Sequence, residues 1–293
     1  MNKKLMILGA SGYLGSSLNS YFQNSNYDVI SHGYSKKSQL VLDATDYSRV
    51  EESLLNYLPS VIINCIGFTD VNGCEVQPEK AYSLNSKVVF NIASCIKKNK
   101  LDTYLIQIST DHVYDNSSAS LEEEVVLKNY YAFSKLMGDL YARDVSSVVL
   151  RTNFFGLNNN CPNTGFTEWI YNSLLSGQSI NAFNDILFNP LSLDSLAQYV
   201  TKIVDLRPEG VYNLGSAGGI SKAEFILSFA KELDLQTSLV SIVSSEDSNH
   251  SNVKRPKSML MNCNKIEKLL DISMPTTHQE VKSVADQYKT SRG

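Results

Sequence analysis

No apolar run in this sequence approaches the roughly 20 residues that a membrane helix needs, so a helical membrane span is excluded. The five cysteines (Cys65, Cys74, Cys95, Cys161, Cys263) are odd in number, scattered and never in a C-x-x-C pair. That excludes a disulfide framework and argues against structural zinc; reduced thiols in a cytoplasmic protein are expected. The four histidines (His32, His112, His250, His278) show no metal-ligand spacing, so no catalytic metal is expected. A net charge of -4 without any basic stripe lacks the footprint of a nucleic-acid binder. Any phosphate bound here would belong to a small ligand. Internal repeats and low-complexity tracts are missing too. Two lysines precede the apolar run at residues 5–8, but that run is far shorter than the about 7–15 residues of a signal-peptide core and reads as a first strand.

What is present is globular. Hydrophobic content of 43% and charged content of 19% over 293 residues suit one large α/β domain, alone or with a smaller appendage. Short apolar runs (5–8, 28–30, 40–42, 61–65, 104–108, 147–151) alternate with longer amphipathic ones (13–24, 46–58, 79–97, 131–144). This is the pattern of βαβ units, and right-handed crossovers then lead to a doubly wound, Rossmann-type parallel sheet. The polar, turn-forming stretch 158–164 predicts a crossing into a smaller C-terminal lobe. Residues 1–157 are therefore expected to bind a dinucleotide and 158–293 mainly to bind substrate, with segments such as 211–214 returning to the main sheet.

Gly9-Ala10-Ser11-Gly12-Tyr13-Leu14-Gly15 follows the first strand and opens the first helix. In that context Gly12 permits close approach of a pyrophosphate, the helix N-terminus stabilises its charge, and Gly15 permits close packing of helix on strand. Past the second strand, an NAD-type site would place a carboxylate near the ribose. Instead the stretch reads His32-Gly33-Tyr34-Ser35-Lys36-Lys37. Lys36 and Lys37 would attract a 2′-phosphate, so NADPH is expected, with NADH as the alternative. Asp43, with Ala44 beside it, follows the next apolar run and is placed to reach the adenine edge.

Tyr131 and Lys135 stand four apart in a helical segment and share one face. A free phenol is a poor acid at neutral pH, and a nearby ammonium favours its ionised form, so the pair reads as a proton relay. About 20 residues earlier, Ile108-Ser109-Thr110-Asp111 ends a strand, where α/β sheets bind ligands, and Thr110 can donate to a substrate carbonyl.

Together these residues resemble the extended short-chain dehydrogenase/reductase superfamily, and within it the dTDP-4-dehydrorhamnose reductase family. The stretch Ile63-Asn64-Cys65-Ile66-Gly67-Phe68-Thr69 resembles the family's fourth strand, whose end lies along the cofactor, and Glu79 to Asn85 its following helix. Ser109 to Asp115, Arg151 to Gly156 and Arg255-Pro256 resemble later family segments. The resemblance implies NADPH-dependent reduction of a keto group on a nucleotide-activated 6-deoxy sugar, for cell-surface polysaccharide precursors. Tyr131 would be the acid, Lys135 its support and Thr110 the carbonyl donor. Cofactor contacts would come from Gly9, Ser11, Gly12, Tyr13, Leu14, Gly15, Lys36, Asp43, Ala44, Cys65, Ile66, Gly67, Thr69, Asn85, Tyr131 and Lys135, and substrate contacts from Asn153 and Arg255. A homodimer is expected by analogy. The sequence departs from the family where Phe154 replaces a tryptophan and where no proline precedes Tyr131. Related dehydratases carry a glutamate where His112 stands, which disfavours dehydration. The alternatives are an epimerase of the same superfamily and a non-catalytic NADP-binding subunit resembling the regulatory subunit of methionine adenosyltransferase.

Overall fold

A computed structural model of the chain describes residues 3–33, 39–162, 164–247 and 253–292. Contacts divide it into two units interleaved in sequence. One contains Met1–Thr110, Asn129–Arg151 and Ala197–Tyr212, the other Asp111–Lys128, Thr152–Leu196 and Asn213–Gly293.

The first unit is built on strands β1 (Lys4–Leu8), β2 (Asp28–Ser31), β3 (Val61–Asn64), β4 (Tyr104–Thr110) and β5 (Ser147–Thr152). With the strand Gly210–Leu214 they form a six-stranded sheet in the order Gly210–Leu214, β5, β4, β3, β1, β2. β1 pairs in parallel with both β2 and β3, and β3 with β4. The chain therefore reverses its winding at β1, and the carboxyl end of that strand is the topological switch point where such sheets bind ligands. Residues of β3 and β4 are buried throughout, as expected of strands covered on both faces. One apolar layer joins Met6, Ile62, Leu105 and Val149 of the sheet to Val50, Leu54, Val88, Ile92 and Ile96 of the helices.

Two expectations need correction. The run 40–42 is not a strand: only Leu40 pairs, in a single bridge to His32. Residues 79–97 are not one regular helix, because a π-helical turn, Ser83–Lys87, lies between Pro78–Tyr82 and Val88–Lys98. Such turns insert one residue into an α-helix and often mark functional positions.

The second unit has its own core. Phe155, Phe188, Phe225, Phe229 and Tyr288 are almost fully buried there, and Phe155 meets Phe225 edge to face at 4.7 Å. Each such ring contributes roughly 1.5–3 kcal/mol by leaving water. The helices Phe166–Leu175, Lys222–Glu232 and Thr277–Arg292 supply most of this core. Short strand pairs complete it: Ile180–Phe183 with Val240–Val243, and Leu187–Phe188 with Ile220–Ser221.

Candidate active site

The glycine-rich loop leaves β1 with Gly9 at φ +80, a conformation that favours glycine. A Cβ at Gly15 would lie 2.1 Å from the Gly9 carbonyl oxygen, so no side chain fits where the helix Tyr13–Gln23 rests on the loop. A Cβ at Gly9 would come within 3.1 Å of the Cys65 and Ile66 backbone, which brings the ends of β1 and β3 together. Gly12 takes the N-cap position of that helix with no side-chain cap, so the helix N-terminus, which favours an anion, faces this loop. These are the steric features that a pyrophosphate cradle requires.

The other candidate cofactor residues gather on the same unit. Cys65 is tied to β1 by its N–H to the Leu8 carbonyl at 2.9 Å. Ile66 donates its N–H to Asn64 Oδ1 at 3.2 Å. Gly67 and Thr69 are exposed on the loop that follows. Asn85, inside the π-helical turn, fixes that loop: its Oδ1 accepts from Phe68 N at 2.7 Å and its Nδ2 donates to Phe68 O at 3.1 Å. The Nδ2 group also reaches Ser134 Oγ at 2.9 Å. Asn85 thus shapes the loop and joins it to the helix that bears Tyr131. The Asp43 carboxylate accepts from Thr45 N and Oγ1, at 2.9 and 2.7 Å, and so shapes the turn before the next helix. Ala44 is held by Asn91 Nδ2, which donates to its carbonyl at 3.0 Å. Lys36 and Lys37 lie outside the described residues.

Thr110, Tyr131 and Lys135 all belong to this unit and are buried, at 4%, 7% and 5% exposure. Thr110 ends β4. The helix Tyr130–Ala142 is started by Asn129, whose Oδ1 accepts from Ala132 N at 2.9 Å. Glu75 accepts from Tyr130 N at 2.7 Å, placing a carboxylate on the same helix end. Lys135 Nζ donates to the Ile108 carbonyl at 2.7 Å, and a Cβ at Gly67 would lie 3.9 Å from it. The lysine therefore sits at the carboxyl ends of β3 and β4.

Two supporting residues escaped sequence reasoning. Gln107 accepts from Asn64 Nδ2 at 2.8 Å and donates to the same Ile108 carbonyl at 3.0 Å, a buried relay between β3 and β4. Asp139, one turn beyond Lys135, pairs with Arg151 Nε at 3.1 Å, both side chains being nearly inaccessible. Burial pushes the Lys135 ammonium below the ordinary lysine range, and the Asp139 carboxylate opposes that shift. Burial raises Asp139 in turn, opposed by Arg151 and Lys135. Its position four residues after Lys135 was the available signal.

The second unit holds the candidate substrate residues. A cavity of about 280 Å³ is lined by His112, Phe166, Trp169, Lys222, Arg255 and Met259, among others. Phe166 and Trp169 stack at 5.9 Å with 15° between their planes. The Lys222 ammonium lies 3.4 Å from the Phe188 ring centroid and 4.5 Å from that of Phe166. Burial, opposed by Asp111 and reinforced by Arg255, brings Lys222 down to about 8. Asn153 does not line this cavity; its Nδ2 donates to Asp111 Oδ2 at 2.7 Å. Asp115 Oδ1 accepts from the N–H groups of Lys257 and Ser258, at 2.6 and 3.0 Å, anchoring the chain just after Arg255. Two of the resembling segments therefore hold each other. Among the described residues no group of three or more His, Cys, Asp or Glu could hold a metal ion.

The family described as RmlD substrate binding domain matches residues 3–290. The chain belongs to the RmlD family. Among RmlD-like relatives, the probable low-salt glycan biosynthesis reductase Agl14 of Haloferax volcanii is 25% identical over 287 residues, covering 94% of this chain and 95% of that protein. A hypothetical dTDP-4-dehydrorhamnose reductase from Sulfolobus tokodaii is 30% identical, with a TM-score of 0.82 over 93% of this chain and 97% of that one. The Bacillus anthracis dTDP-4-dehydrorhamnose reductase, solved with NADP, has a TM-score of 0.88 at 23% identity, covering 98% of this chain and 100% of that one. An RmlD fold of the extended short-chain dehydrogenase/reductase type is thus shown, and with it an oxidoreductase family.

Proposed function

We propose that this RmlD family member is an NADPH-dependent reductase of a keto group on a nucleotide-activated 6-deoxy sugar. The observation that carries the reading is Lys135 Nζ on the Ile108 carbonyl, two residues before Thr110 at the carboxyl end of β4, with Tyr131 one turn before Lys135 on the same helix, all on the unit with the glycine-rich loop. Gly9, Ser11, Gly12, Tyr13, Leu14 and Gly15 would hold the pyrophosphate, with Asp43 and Ala44 towards the adenine and Cys65, Ile66, Gly67 and Thr69 along the cofactor. The bound nicotinamide supplies hydride. Thr110 Oγ1 donates a hydrogen bond to the carbonyl oxygen, stabilising the charge that develops there. Tyr131 delivers its phenolic proton to that oxygen, and the Lys135 ammonium favours the resulting phenolate. Preference for NADPH over NADH rests on Lys36 and Lys37.

Lys222 and Arg255 suit a diphosphate, a guanidinium matching phosphate oxygens in a fork, and the Phe166–Trp169 pair suits a base. Asn153 orders Asp111 and so acts on Lys222 through it. The glycan role of Agl14 supports a place in polysaccharide precursor synthesis. Among the described residues no helix is long and apolar enough to cross a membrane, and a cytoplasmic location is part of the proposal. So is a homodimer: Tyr82, Phe90, Phe133 and Leu140 expose apolar surface on the helices Pro78–Tyr82, Val88–Lys98 and Tyr130–Ala142 of the first unit.

The test is incubation with NADPH and a panel of keto sugar nucleotides, following nicotinamide absorbance. Stoichiometric oxidation is expected. Tyr131→Phe should lose about a hundredfold to ten-thousandfold of that rate while still binding NADPH; full turnover in that variant overturns the assignment. Epimerised sugar without net oxidation favours the epimerase, and binding without turnover favours a regulatory subunit.

A further inference from the structure

His32 is buried, with 4% of its surface exposed, at the end of β2. Its ring bridges two segments. Nδ1 faces the Gly9 N–H at 3.2 Å, and Nε2 lies 3.0 Å from the Leu42 carbonyl oxygen. An amide N–H can only donate and a carbonyl can only accept, so the two partners select one form of the ring: neutral, with its proton on Nε2. The His32 backbone adds a third tie, its carbonyl accepting from Ala10 N at 2.7 Å. The first two amides of the glycine-rich loop are thereby both fixed on one residue. Gly12 N then bonds to the Gly9 carbonyl at 3.0 Å, closing the turn on which the helix Tyr13–Gln23 begins.

We infer that His32 is a positioning residue for the dinucleotide: as a neutral, Nε2-protonated ring it locks Gly9 and Leu42 together and holds the phosphate loop in its binding shape. The inference rests on the cofactor reading above. It reaches further because nothing in the glycine-rich pattern calls for a histidine 20 residues later. Protonation would turn Nδ1 into a second donor aimed at the Gly9 N–H, so the lock opens on acidification. Among the described residues no charged group offsets that. The loop brings none, Asp43 beside Leu42 has its carboxylate on Thr45, Lys4 of β1 reaches the Tyr57 carbonyl, and Asp28 of β2 is exposed at the strand's far end. Burial, opposed only by the Leu42 carbonyl, lowers the proton affinity of the ring.

His32→Asn and His32→Leu separate the two bonds. Both lose the Leu42 contact, but only asparagine keeps an acceptor for Gly9 without a titrating ring. NADPH dissociation constants are measured by nucleotide fluorescence between about pH 8 and pH 5.5. At the upper end His32→Leu should bind about tenfold more weakly than His32→Asn, the worth of one buried hydrogen bond. As pH falls, the wild type should lose affinity relative to His32→Asn, a ratio in which titration of the ligand cancels. Equal binding by the two variants, or a constant ratio, overturns the inference. If the wild type binds neither NADPH nor NADH, the cofactor reading fails instead. The lock is then judged on the free protein by nitrogen-15 NMR: a proton on Nε2 of His32 is expected, and one on Nδ1 overturns it.

Discussion

Asp139 and Arg151 form an ion pair whose side chains are 1% and 4% exposed. In such surroundings the cost of stripping water from two charges is comparable with their attraction, so the pair is poor evidence for stability. Its placement is more informative. Asp139 lies one helical turn from Lys135 and favours the charged form of that lysine, which burial alone would disfavour. Asp139→Asn removes this support and the negative charge paired with a buried guanidinium. A loss of about 3–5 kcal/mol in unfolding free energy is expected from urea denaturation. A loss below about 1 kcal/mol would mean that Arg151 finds water or another acceptor. Gln107→Leu is a milder probe of the same neighbourhood. It leaves the Asn64 Nδ2 group without its Gln107 acceptor, should cost about 1–3 kcal/mol, and should slow turnover by releasing the carbonyl that receives Lys135.

At the scale of elements, the close approach of two helices decides where Lys135 stands. A Cβ on Gly138 would lie 2.3 Å from the Asn85 backbone carbonyl. The helix Tyr130–Ala142 can therefore press against the π-helical turn only because that position is glycine. Gly138→Ala should push them apart and destabilise by about 1–3 kcal/mol, with weaker NADPH binding as the Asn85 clamp on Phe68 shifts. Gly177→Ala is the control: nothing lies within 4 Å of its Cβ, so only its φ of +75 opposes the change. Both variants are compared by thermal unfolding and by nucleotide titration. The sequence made part of this architecture readable. Three glycines between an apolar run and a helix have a steric meaning that holds in any fold, and Tyr131 with Lys135 at a spacing of four share a face wherever a helix forms. The π-helical turn at Ser83–Lys87 stayed hidden because one extra residue scarcely disturbs an amphipathic pattern. Lys222 was illegible for another reason: the rings beneath it, Phe166 and Phe188, come from distant segments that only folding brings together. A lone histidine such as His32 gives no hint in sequence of which backbone amide it will meet.

For the molecule as a whole, each unit carries a half-buried or buried histidine that burial keeps neutral. His32 lies below its ordinary 6.5, and His112 is brought down to about 3 by burial, with the Lys222 and Arg255 charges adding to the effect. In the unfolded chain both would take up protons as pH falls through 6.5, whereas the folded chain resists. Stability from these groups is thus complete above pH 6.5 and is lost as pH falls, His112 continuing to contribute to that loss down to about 3. Asp115 and Asp185 are held below the carboxylate range by backbone and side-chain hydrogen bonds despite their burial, Asp185 at about 2. Their stabilisation is complete above 3.8 and fades only as pH falls below it, so it does not reach the window between pH 6.5 and 4. Asp139, raised by burial, acts with the opposite sign. Urea midpoints should therefore decline from about pH 6 to 4.5, below the range in which Lys222, at about 8, takes up its proton. His112→Asn should flatten part of that decline. A wild-type midpoint that stays level down to about pH 5 would show that both rings accept protons without disturbing the fold.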